Sequence, residues 1–382
     1  MSAISLQNGK VVRSGQLEDR GSVAIEDGRI VEETSTGPIR IIDCTGLTLL
    51  PGFIDVHIHG AMGVDVNVAD VDGLYEIAGF LAKNGVTRWL PTLVPDSDEN
   101  YRRVIEAIER LMEIQSEEPI ARVAGIHYEG VFANRKMCGA LRPQFFKTFT
   151  GSELSALPTL SRGAHMTTFA PEIENGIDLT RELVKLGWIP SIGHTEAPVE
   201  VLQEAFTEGA RHLTHFFNAM TPMHHRDMGV EGWALANAGV TFDIIADGIH
   251  VHPTMLEFAV RSKTPLNVSL ISDSIGPAGL GDGEYQIWEE TVTIQNGRTR
   301  NERGSIAGSV ITMRDAVREM RGLGFSEVEV AVMSSLNPAR LIGCDDELGS
   351  IMPGKCADII GLDEDGNARL TLMDGTIAFD DR

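Results

Sequence analysis

Eight short apolar runs recur along the chain, at residues 54–58, 88–93, 123–128, 165–169, 189–192, 213–216, 242–246 and 268–271. Each has the length of a strand buried on both faces. Between several of them the apolar positions take up the three-to-four spacing of an amphipathic helix, over 72–83, 99–115, 179–186, 199–208 and 253–260. Strands alternating with helices predict an α/β protein. A count of eight favours a (β/α)8 TIM-type barrel over an open doubly wound sheet.

The two ends follow a period of two instead. Residues 21–28 and 29–32 form a hairpin pattern around Asp27-Gly28, and 357–362 and 368–372 repeat it near Asp374-Gly375. Chain ends commonly lie close together, so both ends are expected to build one small β-sandwich domain. The division expected is 1–52 with 350–382 for that domain and 53–349 for the barrel.

Composition narrows the function classes. The chain has 382 residues, 42% of them hydrophobic, enough for a large core, and its 40 glycines suit a loop-rich enzyme. With 55 acidic and 32 basic residues the formal charge is −23, which repels nucleic acid and anionic membrane; neither is expected as a partner. Cys44, Cys138, Cys344 and Cys356 show no Cys-x-x-Cys spacing, which speaks against a disulfide framework or thiolate zinc site and for a reducing compartment. The first residues lack an apolar signal core and no apolar run reaches about 18 residues. A soluble, cytoplasmic protein is expected.

The chemistry lies at the C-terminal ends of the predicted strands. His57 and His59 stand two apart at the end of the first, so both imidazoles project to one face. Glu129 closes the third strand, His194 follows the fifth, His215 closes the sixth and Asp273 the eighth. Barrel enzymes keep their sites at these ends, and six ionisable groups there are hard to explain as separate structural residues. Imidazoles hold a zinc- or iron-like ion without neutralising it, and water on such an ion has a pKa near 7 rather than about 16. Asp273 beside it would act as the acid/base. His127 shares the face of Glu129 and fits a supporting or a core role equally. His165 and His212 read as structural, His224, His225 and His252 as loop residues, Asp55 as structural, and Asp247-Gly248 as a turn positioning His250. The stretch Gly304-Ser-Ile-Ala-Gly-Ser309 could offer backbone N–H donors. No Gly-x-Ser-x-Gly elbow supports a serine hydrolase.

At these residues a resemblance emerges. Pro51-Gly-Phe-Ile-Asp-Val-His-Ile-His-Gly60 resembles the entry motif of the amidohydrolase superfamily, and Pro353-Gly-Lys-Cys-Ala-Asp-Ile359 its closing segment. Six further blocks are similar, in order, to the N-acetylglucosamine-6-phosphate deacetylase family: His127-Tyr-Glu-Gly130, Ala170-Pro-Glu172, Gly193-His-Thr195, Thr214-His-Phe-Phe-Asn-Ala-Met220, Ala246-Asp-Gly-Ile-His-Val251 and 304–313.

The resemblance implies hydrolysis of the acetamide of N-acetylglucosamine 6-phosphate to glucosamine 6-phosphate and acetate. It implies a divalent metal, zinc first, with iron or another ion as alternatives. Glu129, His194 and His215 would be ligands, and His57 with His59 a second site, so one or two ions per subunit. It assigns Asp273 as acid/base, and Asn218, Ala219, His250 and Ala140 to an amino-sugar phosphate substrate. Arg226 would reach the phosphate of a neighbouring subunit, which implies a homodimer.

Three departures from the family pattern occur. Tyr128-Glu-Gly-Val131 stands for Leu-Glu-Gly-Pro, Ser272-Asp-Ser274 for Thr-Asp-Ala, and Leu141 for a polar residue that could meet the sugar. Another N-acetyl amino sugar or N-acyl compound is therefore an alternative substrate. Relatives that open cyclic amides carry a lysine on the fourth strand, which His165-Met-Thr-Thr-Phe-Ala170 lacks. A non-catalytic sugar-phosphate-binding protein would be expected to lose the metal set or Asp273, and both are present.

Overall fold

The computed structural model describes residues 3–34 and 38–382. The eight barrel strands are β1 (Phe53–Ile58), β2 (Val86–Leu93), β3 (Gly125–Phe132), β4 (Ala164–Phe169), β5 (Ile189–Ile192), β6 (His212–Leu213), β7 (Thr241–Ile245) and β8 (Val268–Ile271). Each runs parallel to the next, in sequence order. Closure from β8 to β1 is made beyond the regular strand. The Asp273 N–H donates to the His57 carbonyl (2.9 Å), and the His59 N–H to that of Ser274 (2.8 Å). The seam of the barrel is thus stitched by candidate site residues themselves.

Every residue of β1, β2 and β3 is buried, as expected for strands covered on one face by helices and on the other by the barrel interior. Ile54, Val56, Leu90, Met166, Ile245 and Ile271 fill that interior. The helices begin where short polar side chains can cap them. Asp70 accepts from the Gly73 N–H ahead of Val71–Lys83, and Ser97 from that of Asn100 ahead of Asp98–Ile114. Helices also span Gly176–Lys185, Val199–Thr207 and Pro253–Lys263, within a few residues of the periodic stretches in the sequence. Among the described residues no helix is long and apolar enough to cross a membrane.

Both chain ends meet in one eight-stranded sheet. Its junction is the antiparallel pairing of Thr48–Pro51 with Ile359–Leu362. Leu6, Val23, Ile25, Leu49, Ile359 and Leu370 lie in its core.

One unit has no counterpart among the expected elements. After β8 the chain makes a three-stranded antiparallel meander, Gly283–Ile287, Glu290–Gln295 and Arg298–Asn301. Its sequence signal is slight: Asn296-Gly297 is a hairpin turn pair, beside strands of only four to six residues.

Candidate active site

The strand ends bring six groups into contact. The Nε2 atoms of His57 and His59 lie 3.1 Å apart. Glu129 reaches in from β3, and its Oε1 is 3.0 Å from the Nε2 of both His194 and His215, which are themselves 3.1 Å apart. The same carboxylate faces the other pair, with Oε2 3.3 Å from His59 and Oε1 3.6 Å from His57. Asp273 Oδ1 stands 3.4 Å from His57 Nε2 and 3.3 Å from His59 Nε2. All six residues are buried. Two three-ligand sets result, His57/His59/Glu129 and Glu129/His194/His215, sharing one carboxylate.

This donor set fits divalent ions. Nitrogen ligands about 2.0–2.1 Å from a tetrahedral zinc stand roughly 3.3 Å apart, near the spacings seen. Backbone carbonyls set the tautomers. His59 Nδ1–H donates to Thr92 O (3.2 Å) and His194 Nδ1–H to Met137 O (2.8 Å), which leaves each Nε2 with a free lone pair. His57 and His215 lack such a partner on Nδ1. Burial pushes the imidazoles down, but the carboxylates outweigh it and hold His59 up at about 10 and His215 at about 9. Burial works against ionisation of Glu129, and the surrounding histidines still keep it well below the usual carboxylate range.

Backbone strain accompanies the site. His194 (φ 49°), His215 (φ 35°) and Asp273 (φ 49°) all adopt the left-handed conformation, costly for residues with a Cβ and tolerated where surroundings enforce it. The enforcing contacts are identifiable. Buried Asp243 accepts from the His215 N–H, and its other oxygen meets His212 Nε2 at 3.1 Å. Glu172 accepts from Thr195 Oγ1 (2.5 Å), the Glu196 N–H (2.7 Å) and Asn134 Nδ2 (2.8 Å), and the Asn134 N–H donates to His194 O (3.1 Å). Asp55 accepts from Ser272 Oγ (2.6 Å) and from the N–H groups of Ser272 and His57. His127 is buried edge-on to His57 at 4.6 Å, with Nδ1 on Val56 O and Nε2 on Thr168 Oγ1. It supports the first pair without joining it.

A cleft of about 410 Å³ opens above these groups. Asn218, Ala219, His250 and Ala140 line it, together with all the ligands except His57. Asp247 Oδ2 lies 2.6 Å from His250 Nδ1 and so orients the ring. Arg226 is not in the cleft of its own chain; it lies exposed in the loop after β6. The departures acquire physical accounts. Tyr128 points away from the cleft, donating to Pro158 O (2.6 Å) and stacking on Trp188. Ser274 Oγ donates to Gly60 O (3.0 Å). Leu141 lines the cleft yet is buried against Val94 and Ala133. Four N–H groups of the 304–309 stretch are engaged within the protein: Gly304 on Asn301 O, Ser305 on Asn301 Oδ1, Ala307 on Thr299 Oγ1 and Ser309 on Asp273 O. Sequence reasoning passed over Lys136, Met137 and Trp288, which also line the cleft. Lys136 carried no motif. Trp288 sits on the unexpected meander, with its ring 5.3 Å from that of His59.

Comparison with known proteins agrees with this geometry. The model of the amidohydrolase family matches residues 48–378. An N-acetylglucosamine-6-phosphate deacetylase of Bacillus subtilis (strain 168) is 34% identical, over 97% of this chain and 95% of that protein. An N-acetylgalactosamine-6-phosphate deacetylase of Escherichia coli O157:H7 is 32% identical, over 96% of this chain and 97% of that protein. The crystal structure of an N-acetylglucosamine-6-phosphate deacetylase from Thermotoga maritima superposes with a TM-score of 0.88 at 32% identity, covering 98% of this chain and 99% of that one. The chain therefore belongs to the amidohydrolase family, and within it to the N-acetylglucosamine-6-phosphate deacetylases.

Proposed function

We propose that the protein removes the acetyl group from N-acetylglucosamine 6-phosphate, giving glucosamine 6-phosphate and acetate. The observation that carries this reading is Asp273 Oδ1, held within 3.4 Å of two imidazoles beside two ligand sets that share Glu129. Glu129, His194 and His215 would hold one divalent ion, zinc by the fit of an imidazole-rich set, and His57, His59 and Glu129 a second. Such an ion supplies Lewis acidity to the amide carbonyl and acidity to water. Burial works against ionisation of Asp273, but His57 and His59 outweigh it, so the carboxylate is ready to act as a base. Asp273 takes the proton of the attacking water and returns it to the sugar nitrogen as the C–N bond breaks. His250, held by Asp247, presents its second nitrogen to the substrate.

The same reading takes Arg226 across a homodimer interface to the phosphate of the neighbouring subunit, a contact to which a guanidinium is suited. Met223 and Met228, both exposed, flank it and would be covered there. A phosphorylated sugar does not diffuse across membranes, which supports the reading of a cytoplasmic enzyme.

Acetate release from N-acetylglucosamine 6-phosphate, its 4-epimer and the unphosphorylated sugars, with the metal content of the purified protein measured in parallel, tests the proposal. We expect the first substrate to have the highest kcat/KM. The 4-epimer belongs in the panel because the Escherichia coli relative is named for it. Release from none of them would overturn the reading, and bound sugar without turnover would mark a binding protein.

A further inference from the structure

The floor of the cleft has a direction. Glu129 lies at its middle, with His59 against Oε2 and with His194 and His215 against Oε1. At the His215 end stands Asn218, whose Nδ2 donates to His215 O (3.2 Å), a polar end where a sugar can find hydrogen bonds. At the His59 end stands Trp288, its ring perpendicular to the imidazole (83°) at 5.3 Å. Ala140 and Leu141 pack against the same apolar clusters as Trp288, which makes this end a largely apolar wall. An amide lying over the floor has two substituents, one a polar sugar and the other a short acyl chain. Only the acyl chain suits the wall, since polar groups desolvated there would be left without partners.

The wall is built rigidly and at some cost. Trp288 and Glu289 form the two-residue turn between Gly283–Ile287 and Glu290–Gln295, with φ 51° and 67°. Such turns favour Asn-Gly or Asp-Gly, so an indole in this position is a strained choice. Arg303 ties the hairpin down, with Nε 2.9 Å from Glu290 Oε1 and Nη2 donating to Ala140 O at 2.9 Å. Arg303 therefore fixes the hairpin backbone that carries the indole to the loop that carries Ala140.

We infer that Trp288 is a specificity-determining residue that sets the length of the acyl group the enzyme removes. The inference rests on the deacetylase reading. Acetate release by the unaltered enzyme is therefore measured first, and its absence would count against that reading and not against the role of Trp288. The unaltered enzyme, Trp288→Ala and Trp288→Leu are then compared on N-acetyl, N-propionyl and N-butanoyl glucosamine 6-phosphate. In the unaltered enzyme each added methylene should lower kcat/KM roughly tenfold or more, the discrimination a packed apolar wall can supply. Trp288→Ala should raise the propionyl-to-acetyl ratio about tenfold, and Trp288→Leu, which keeps an apolar anchor in the turn, should raise it by less. A ratio unchanged in the leucine variant, with all three substrates falling together, would overturn the inference. So would a readily hydrolysed butanoyl substrate in the unaltered enzyme.

Discussion

Asp273 concentrates the chemistry in one side chain. Its carboxylate faces His57 and His59, its N–H donates to His57 O, and its carbonyl accepts from Ser309. Asp273→Asn keeps that backbone scaffold and removes the proton acceptor. We expect kcat to fall about 10²–10⁴-fold with metal content unchanged, measured by acetate release beside elemental analysis; retained activity would displace Asp273 from its role. The histidines supply a second prediction at this scale. In metal-stripped protein His59 titrates near 10 and His215 near 9, above the ordinary value of 6.5. A raised folded-state pKa means the stabilisation is complete below about pH 6.5 and is lost as pH rises through about 9 to 10. The melting temperature of the stripped protein should therefore fall between about pH 6.5 and 10 and level off above it. The fall should be smaller in a His59→Gln, His215→Gln double variant, and equal slopes would show that other groups carry it.

His57 and Glu129 lie on strands, whereas His194, His215 and Asp273 are aimed by the loops that follow theirs. Glu172 on the β4 loop gathers Thr195 and Glu196 from the β5 loop and Asn134 from the β3 loop, and so encloses His194 in its left-handed conformation. Replacing Glu172 by Ala releases all three contacts without touching a ligand atom. The expected result is a roughly tenfold loss of metal affinity, at the low end for groups that support ligands, with the barrel still folded. Competition with a chromophoric chelator checks the first part and circular dichroism the second. At this same scale the sequence was most uneven. Periodic helices such as Asp98–Ile114 were legible because one face must be buried along their whole length. The meander from Gly283 to Asn301 was not, because strands of four to six residues carry too few periods to stand out beside a stronger β/α alternation.

In the whole molecule the barrel and the terminal sheet are joined by buried charge. Arg88 on β2 faces Asp358 Oδ2 at 3.0 Å and Asp374 Oδ1 at 2.9 Å, and Asp374 Oδ2 also takes Arg122 at 3.0 Å. Asp358 accepts from the Asp374 N–H (2.9 Å) and its carbonyl from the Gly52 N–H (2.9 Å), so it links both chain ends to the barrel. Asp358→Ala leaves Arg88 buried with half its counter-charge. Removal of one partner of a buried pair costs about 3–5 kcal/mol, and the low end applies here because Asp374 remains. Denaturant unfolding should show that loss while kcat/KM stays within about twofold. A large fall in kcat/KM at full stability would mean that the junction communicates with the cleft.

The chain's own pattern determined the alternation behind the barrel, the β character of its two ends, and the strand-end positions of His57, His59, Glu129, His194, His215 and Asp273. These are properties of strand period and strand ends, and they are local: a residue two places from its neighbour shares its face wherever the strand goes. Contact order across the chain decided the rest. That His57 and His59 share Glu129 with His194 and His215 depends on how the barrel closes, which no local spacing encodes. The placing of Trp288 over His59 depends on a hairpin folding back across the mouth and on Arg303 holding it to the loop that carries Ala140. Such contacts join residues 65 or more positions apart, and only the packed structure brings them within reach.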